Sequence, residues 1–139
     1  MRRAASREEV DAALDLRRTV FVDEQGVTLA ADRDGRDGEA AHLVATDRGR
    51  VVATCRLLPS GREVRLGRMV VAHEMRGGGL GARMLALADR VSAEMGAEEI
   101  LLHAQVPSRG VYDRAGYRQR GEPFVEQGIE HVTMVKSVA

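Results

Sequence analysis

From Ser6 to Arg17 the apolar residues Val10, Ala13 and Leu14 recur three and four positions apart, the spacing that places them on one face of an α-helix. Ser6-Arg7-Glu8-Glu9 forms a capping box at the start, because a serine and a glutamate three residues apart can satisfy free N–H groups of a first helical turn. A first helix is expected to end near Arg18, with a further turn of helix within Val20 to Val27. The period then changes. Ala41 to Thr46, Arg50 to Leu58 and Val64 to Ala72 are β-branched-rich runs, joined through Asp47-Arg48-Gly49 and Pro59-Ser60-Gly61, and they predict a hairpin followed by a third strand. Helical spacing returns from Leu80 through Met84, Leu87, Ala88, Val91 and Met95, and Gly96 stands where a left-handed cap would end this long helix. Glu99 to Ala104 reads as a buried strand and Ser108 to Ala115 as a short helix ended by Gly116. Tyr117 to Arg120 and His131 to Val135 close the chain as strands. Mixed strands and helices in this order give an α/β (α+β) fold.

Between the first helix and the first long strand lies Asp32-Arg33-Asp34-Gly35-Arg36-Asp37-Gly38, which reads as a solvated loop. It imitates a calcium loop only in composition. The sixth and twelfth positions, where an EF-hand needs glycine and glutamate, hold Asp37 and Leu43.

The 139 residues suit one domain spanning 1–139. Lys+Arg and Asp+Glu balance at 21 each and aromatic residues are only 3%, so neither a basic field nor a stacking platform argues for nucleic acid. The lone Cys55 has no internal disulfide partner and suits a reducing compartment, as a buried strand residue. No apolar run reaches the length of a membrane span, and Glu8 and Glu9 stand where a signal peptide needs an apolar segment. The protein is expected in the cytoplasm, with no membrane partner.

The candidate chemistry begins at Arg76-Gly77-Gly78-Gly79-Leu80-Gly81-Ala82, between a strand and the long helix. Successive N–H groups at a glycine-rich helix start converge on phosphate oxygens, the helix dipole adds positive potential, and Arg76 adds a charged donor fork. Other phosphate motifs fail. A P-loop needs Gly-Lys-Ser/Thr, and the only lysine is Lys136; a dinucleotide fingerprint needs glycine where Met84 stands. His73-Glu74-Met75-Arg76 begins like a zinc-protease helix, but Gly77 occupies the second ligand position, so no metal is expected there.

The same segment resembles the Arg/Gln-x-x-Gly-x-Gly/Ala signature of the GCN5-related N-acetyltransferases, with Arg76, Gly79 and Gly81 in register. Val111-Tyr112-Asp113-Arg114-Ala115-Gly116-Tyr117 is similar to that family's Phe-Tyr-x-x-x-Gly-Phe pattern, with valine for the first aromatic. The order strand, loop, helix, strand, short helix from Val64 to Tyr117 also matches the family's core. The resemblance implies acetyl-CoA as acyl donor, held at its pyrophosphate by the loop residues Arg76 to Ala82. It implies a pantetheine arm against Met69, Val70, Val71 and Gln105, between two parallel strands that splay apart. Tyr112 would then protonate the leaving thiolate, a proton transfer that a phenol with pKa near 10 can make at neutral pH. A backbone N–H of the Met69 segment would polarise the thioester carbonyl.

Over nearly the whole chain the sequence looks like the ElaA-like branch. The match runs through Arg17 to Gln25, His42, Cys55-Arg56-Leu57, Gly67-Arg68-Met69 and the closing Gly121-x-x-Phe124-x-Glu126-x-Gly128-Ile129-x-His131-x-x-Met134. Two departures stand out: a first strand of only a few residues after Met1, and Gln105 where asparagine is common.

Direct transfer to a primary amine needs a base, and Glu24 is the first candidate, because the loop after the first helix lines the acceptor side in this fold. His42 is the second. Arg56 and Arg68 stand within apolar strands and need partners, either an acidic group on the acceptor or an internal carboxylate from Glu24, Asp23 or Glu63. His73, His103 and His131 are assigned structural or surface roles. A small-molecule or peptide amine is the expected partner, with a homodimer allowed. A non-catalytic acyl-CoA sensor or interaction module is the alternative reading.

Overall fold

In the computed structural model, which describes residues 1–139, Ser6 Oγ accepts from the Glu9 N–H at 3.2 Å and α1 runs Arg7–Arg17. The Glu9 carboxylate reaches back to the N–H of Ala5 at 2.9 Å, so the box closes one residue earlier than its usual form. The α-helix ends at Arg17, with Arg18 as its C-cap, as expected. The chain continues in π-helical turns over Arg18–Glu24, and then folds back so that the Val27 N–H meets the Phe21 carbonyl at 2.8 Å. A one-turn helix, α2 (Leu29–Asp32), follows; the Thr28 side chain caps it by accepting from Ala31 N–H.

The strands β1 (Arg2–Arg3), β2 (Ala41–Asp47), β3 (Arg50–Ser60), β4 (Glu63–Val71), β5 (Glu99–Gln105), β6 (Arg118–Glu126) and β7 (Ile129–Ser137) form one sheet in the order β1-β2-β3-β4-β5-β7-β6. The first strand is indeed reduced, to two residues on the edge of β2. The long helix α3 (Leu80–Glu94) and the short α4 (Arg109–Arg114) lie where expected, and Gly96 follows α3 at φ +86°. The closing strands are longer than their apolar runs. Gln127 and Gly128, both at positive φ, make a two-residue turn that pairs Glu126 with Ile129 and extends β6 and β7 toward each other.

Burial follows the covering helices. β2 has five buried residues in succession and β3 seven, which requires a layer on each face. α1 packs against β2, β3 and β4, whereas α3 packs against β2 to β5. β5 alternates instead: Ile100, Leu102 and Ala104 are buried, while His103 and Gln105 point to the other face. The helix layer on that face ends short of β5, and the uncovered strip becomes a cavity.

Two irregularities shape that strip. β4 and β5 run parallel through only three residue pairs, ending at Arg65 with Leu101. β4 then stays with β3 as far as Val71, and β5 stays with β7 as far as Gln105, so the two strands part. The second is a β-bulge in β4, where the register against β3 shifts between Thr54 and Arg56 and Arg68 takes φ +52°.

The segment expected to be a solvated loop is exposed at Arg33 to Arg36 and at Gly38, yet its aspartate side chains are tied down. Asp32 is 1% exposed, and Arg17, equally buried, donates from Nε to Asp32 Oδ1 at 3.0 Å, from Nη2 to the Asp32 carbonyl, and from Nη1 to Asp37 at 2.6 Å. Arg56 donates to Asp34 and to Asp37. Arg68 donates to the Ala31 carbonyl at 3.0 Å and to Asp34 at 3.2 Å. Three arginines thus alternate with three aspartates. Composition marked these aspartates as loop residues, but the buried arginines need counter-charge and draw them in. The partners are Asp32, Asp34 and Asp37, not Glu24, Asp23 or Glu63.

Removing one partner of a buried pair strands the other charge. Arg17→Ala should lower the free energy of unfolding by about 3–5 kcal/mol in urea denaturation. A change below about 1 kcal/mol would mean that the network does not hold the segment. The side-chain hydrogen bond from Arg56 keeps the Asp34 carboxyl well below the usual carboxylate range. Its contribution to stability is therefore present above the unfolded pKa of about 4 and fades as pH falls below it. Asp34→Asn should flatten the acid limb of stability below about pH 4.

Candidate active site

The cavity has a volume of about 370 Å³ and opens between the parted strands. Leu66, Gly67, Arg68 and Met69 of β4 form one side and Leu102, His103 and Gln105 of β5 the other. Phe21 of the π-helical segment and Gln25 just after it close one end, Tyr112 of α4 another, and Glu126, Gln127, Ile129 and His131 of the β6–β7 hairpin complete the wall.

Below α3, the short turn His73–Met75 leads into Arg76, and Gly77 and Gly79 take φ +84° and +82°, which side-chain-bearing residues rarely adopt. Gly79 is the N-cap of α3 and has no side chain with which to cap it. No N–H from Gly77 to Ala82 is matched by a backbone carbonyl, the first such bond being from Arg83 to Gly79. Six successive donors at the positive end of a 15-residue helix fit a pyrophosphate. Arg76 is already partly engaged: Nε donates to the Val71 carbonyl at 2.9 Å, and Nη2 lies 3.0 Å from Glu24.

Of the residues singled out from sequence, Met69, Gln105, Tyr112, Arg56 and Arg68 meet at the cavity. Val70 is buried, and the glycine loop lies beyond the lining. Tyr112 sits edge-on to Tyr117 with ring centroids 6.0 Å apart, and burial raises its pKa, keeping the phenol protonated. Tyr117 is the buried partner beneath it. Cys55 is 1% exposed and its thiol is pushed up to about 12 by burial, which rules it out as a nucleophile at neutral pH.

The two candidate bases are placed elsewhere. Glu24 pairs with Arg76 near the phosphate loop, and neither Glu24 nor His42 lines the cavity. His42 is 5% exposed; Nε2 lies 3.0 Å from the Asp37 carbonyl and must donate to it, while Nδ1 is buried with no partner. A base has to come within hydrogen-bond reach of the proton it removes. Arg56 is likewise committed, to Asp34 and Asp37, whereas the Arg68 side chain keeps 27% exposure.

The imidazoles of His103 and His131 on the cavity wall, with Phe124 packed against both, are not picked out as site residues by the sequence. Phe124 lies between two imidazoles, edge-on to His103 at 4.8 Å and stacked on His131 at 6.0 Å. His103 Nδ1 is 2.8 Å from Arg65 Nη2 and 3.2 Å from Glu126 Oε2. The signal that could have found this cluster is the period of two shared by Phe124 and Glu126 and by Ile129 and His131, continued across the Gln-Gly turn.

A sheet parted between parallel strands, a donor-lined helix start at its mouth and a phenol beside the gap define an acyl-CoA-dependent acyltransferase. The acetyltransferase (GNAT) domain model matches residues 3–138, and the chain belongs to that family. It is 30% identical to the uncharacterized N-acetyltransferase YjcF of Bacillus subtilis (strain 168), over 96% of each chain. Among solved structures, an acyl-CoA N-acyltransferase from Pseudomonas aeruginosa superposes with a TM-score of 0.85 at 30% identity, covering 95% of this chain and 92% of that one. Escherichia coli ElaA superposes equally well at 28% identity with the same coverage, in keeping with the ElaA-like features of the sequence. The protein is a GNAT-type N-acetyltransferase of unidentified acceptor.

Gly79→Ala forces a side-chain-bearing residue into the left-handed region at a cost of about 1–2 kcal/mol. The loop should shift to relieve it, and the Kd for coenzyme A measured by calorimetry should rise roughly 5–30-fold. An unchanged Kd would remove the loop from the binding site.

Proposed function

We propose that the chain transfers the acetyl group of acetyl-CoA directly to the primary amine of a small molecule or peptide end, as one catalytic unit over residues 1–139 in the cytoplasm. The observation that carries this reading is the cavity of about 370 Å³ that joins the gap between β4 and β5 to Tyr112, a size suited to a small acceptor. Acetyl-CoA supplies, when bound, an activated acyl carbon with a thiolate leaving group. The chain's own part is to bind and orient. The amides of Gly77 to Ala82 and the Arg76 guanidinium hold the diphosphate, which would draw Arg76 from Glu24. Met69, Val70, Val71 and Gln105 offer backbone and amide groups to the pantetheine arm, the first of them at the bulge where β4 turns from β5.

Tyr112 is the proton donor to the thiolate. Its hydroxyl has no hydrogen-bond partner among protein groups, and burial raises its pKa, so the phenol is protonated and free to donate when the thiolate forms beside it. Of the two arginines, Arg68 is the one with exposure left to meet an acidic group on the acceptor. Arg56 acts on the site through Asp34 and Asp37. A homodimer would cover Val125, which is 71% exposed on the outer strand β6.

Turnover of acetyl-CoA against a library of primary amines, read by mass spectrometry of the acylated product, tests the reading; no product from any amine class would refute it. Tyr112→Phe should lower kcat by about 10²-fold or more with the Kd for coenzyme A unchanged. Equal losses in binding and turnover would make the tyrosine a packing residue instead.

A further inference from the structure

The cavity contains two imidazoles, and their hydrogen bonds assign them different protonation patterns. His103 Nδ1 lies between a donor, Arg65 Nη2 at 2.8 Å, and an acceptor, Glu126 Oε2 at 3.2 Å; the shorter contact is the guanidinium's, which can only donate, so this nitrogen accepts and the ring proton sits on Nε2. Burial, with Arg65 beside it, lowers the pKa of His103 and keeps it neutral. Its lone pair is already used. His131 is the reverse case. Nδ1 is 2.7 Å from the Ile129 carbonyl, which can only accept, so Nδ1 carries the proton. The neutral ring therefore has its lone pair on Nε2, which has no protein partner yet is not among the sealed polar atoms. Stacking on Phe124 and register opposite Gln105 fix the ring on the cavity side of the sheet.

We propose that His131 is the general base of the transfer, a catalytic residue whose Nε2 takes the proton of the acceptor amine. The inference rests on the N-acetyltransfer reading above. The acceptor enters as an ammonium ion and gives one proton to Nε2; its lone pair then forms a bond to the thioester carbon. Collapse of the adduct breaks the C–S bond, and the thiolate takes the Tyr112 proton. The second nitrogen proton leaves to solvent, and Tyr112 and His131 return to their starting states by exchange with water. The balance is one ammonium and one thioester to one amide, one thiol and one proton. The bond to Ile129 also steadies the imidazolium that forms, because Nδ1–H stays donated throughout.

Charged and titratable groups facing the same cavity are His103 from β5, Glu126 from β6, Arg65 and Arg68 from β4 and Tyr112 from α4. Asp32 and Arg56 also reach it, each tied into the ion-pair network. The test compares wild type with His131→Gln on acetyl-CoA and a panel of primary amines between about pH 6 and 9, following CoA release by thiol titration. The expected result is a loss in kcat/KM for the amine of about 10²-fold or more at neutral pH, with the acid limb of the pH profile abolished. The Kd for coenzyme A and the melting temperature should stay unchanged. Turnover indifferent to the substitution, or lost with the acid limb retained, overturns the assignment alone. No wild-type turnover with any amine would overturn the reading beneath it as well. Where the variant does not fold, imidazole ¹⁵N spectra of the wild type decide, since a proton on Nε2 of neutral His131 contradicts the proposal and one on Nδ1 supports it.

Discussion

Three residue pairs hold β4 to β5, and the rest of the molecule is arranged around the point where that pairing stops. A parallel pair is normally buried under helices on both faces and continues as long as its strands do. Here each strand keeps its antiparallel neighbour, β3 for one and β7 for the other, so the gap opens inside the sheet without fraying either half. Backbone groups left free by that parting are costly in an apolar core but suit an amide-rich ligand. α3 starts beyond the same gap and adds its unpaired amides to it.

The parting needs a bent β4, and the bend is held by charge. Arg68 stands at the bulge in a left-handed conformation that a residue with a side chain adopts only under constraint. Its guanidinium is fixed by the Ala31 carbonyl and Asp34, and Asp34 and Asp37 are fixed in turn by Arg56, with Arg17 behind them on Asp32 and Asp37. Burial works against ionisation of Asp37, yet bonds from Arg17 and Arg56 still leave its carboxyl below the ordinary value. Arg33 Nε stands 3.6 Å from Asp32 Oδ2, too far for a hydrogen bond, so that oxygen is met by charge alone. The network joins α1, α2 and the following turn to the two central strands, and so places Phe21 and Gln25 at the cavity mouth.

Much of this was legible in the chain. Periodicity located α1, α3 and the strands β2 to β5, because each carries an apolar repeat and most are bounded by glycine or proline turns. The glycine loop and Tyr112 were recognisable because local backbone demands and family pattern coincide there. What could not be read depends on distant partners. The Asp32 to Asp37 segment has the composition of a solvated loop and stays exposed from Arg33 to Arg36, but the buried Arg17 and Arg56 draw its aspartate side chains inward. The extended β6–β7 hairpin was hidden because its turn is Gln127-Gly128, a weaker signal than Asn-Gly, and its strands are polar outside. The sequence alone therefore gives His131 a structural role, although the hairpin carries it to the cavity wall.

In the proposed reading donor binding and acceptor chemistry meet across the gap, with the helix-start amides on one side and the His103 and His131 imidazoles of the cavity wall on the other. The most direct measurement is an amide ¹H–¹⁵N titration with coenzyme A. The account predicts that resonances of Gly77 to Ala82 and of Met69 to Val71 shift and saturate together at one affinity. Saturable binding whose shifts leave both segments untouched would contradict it.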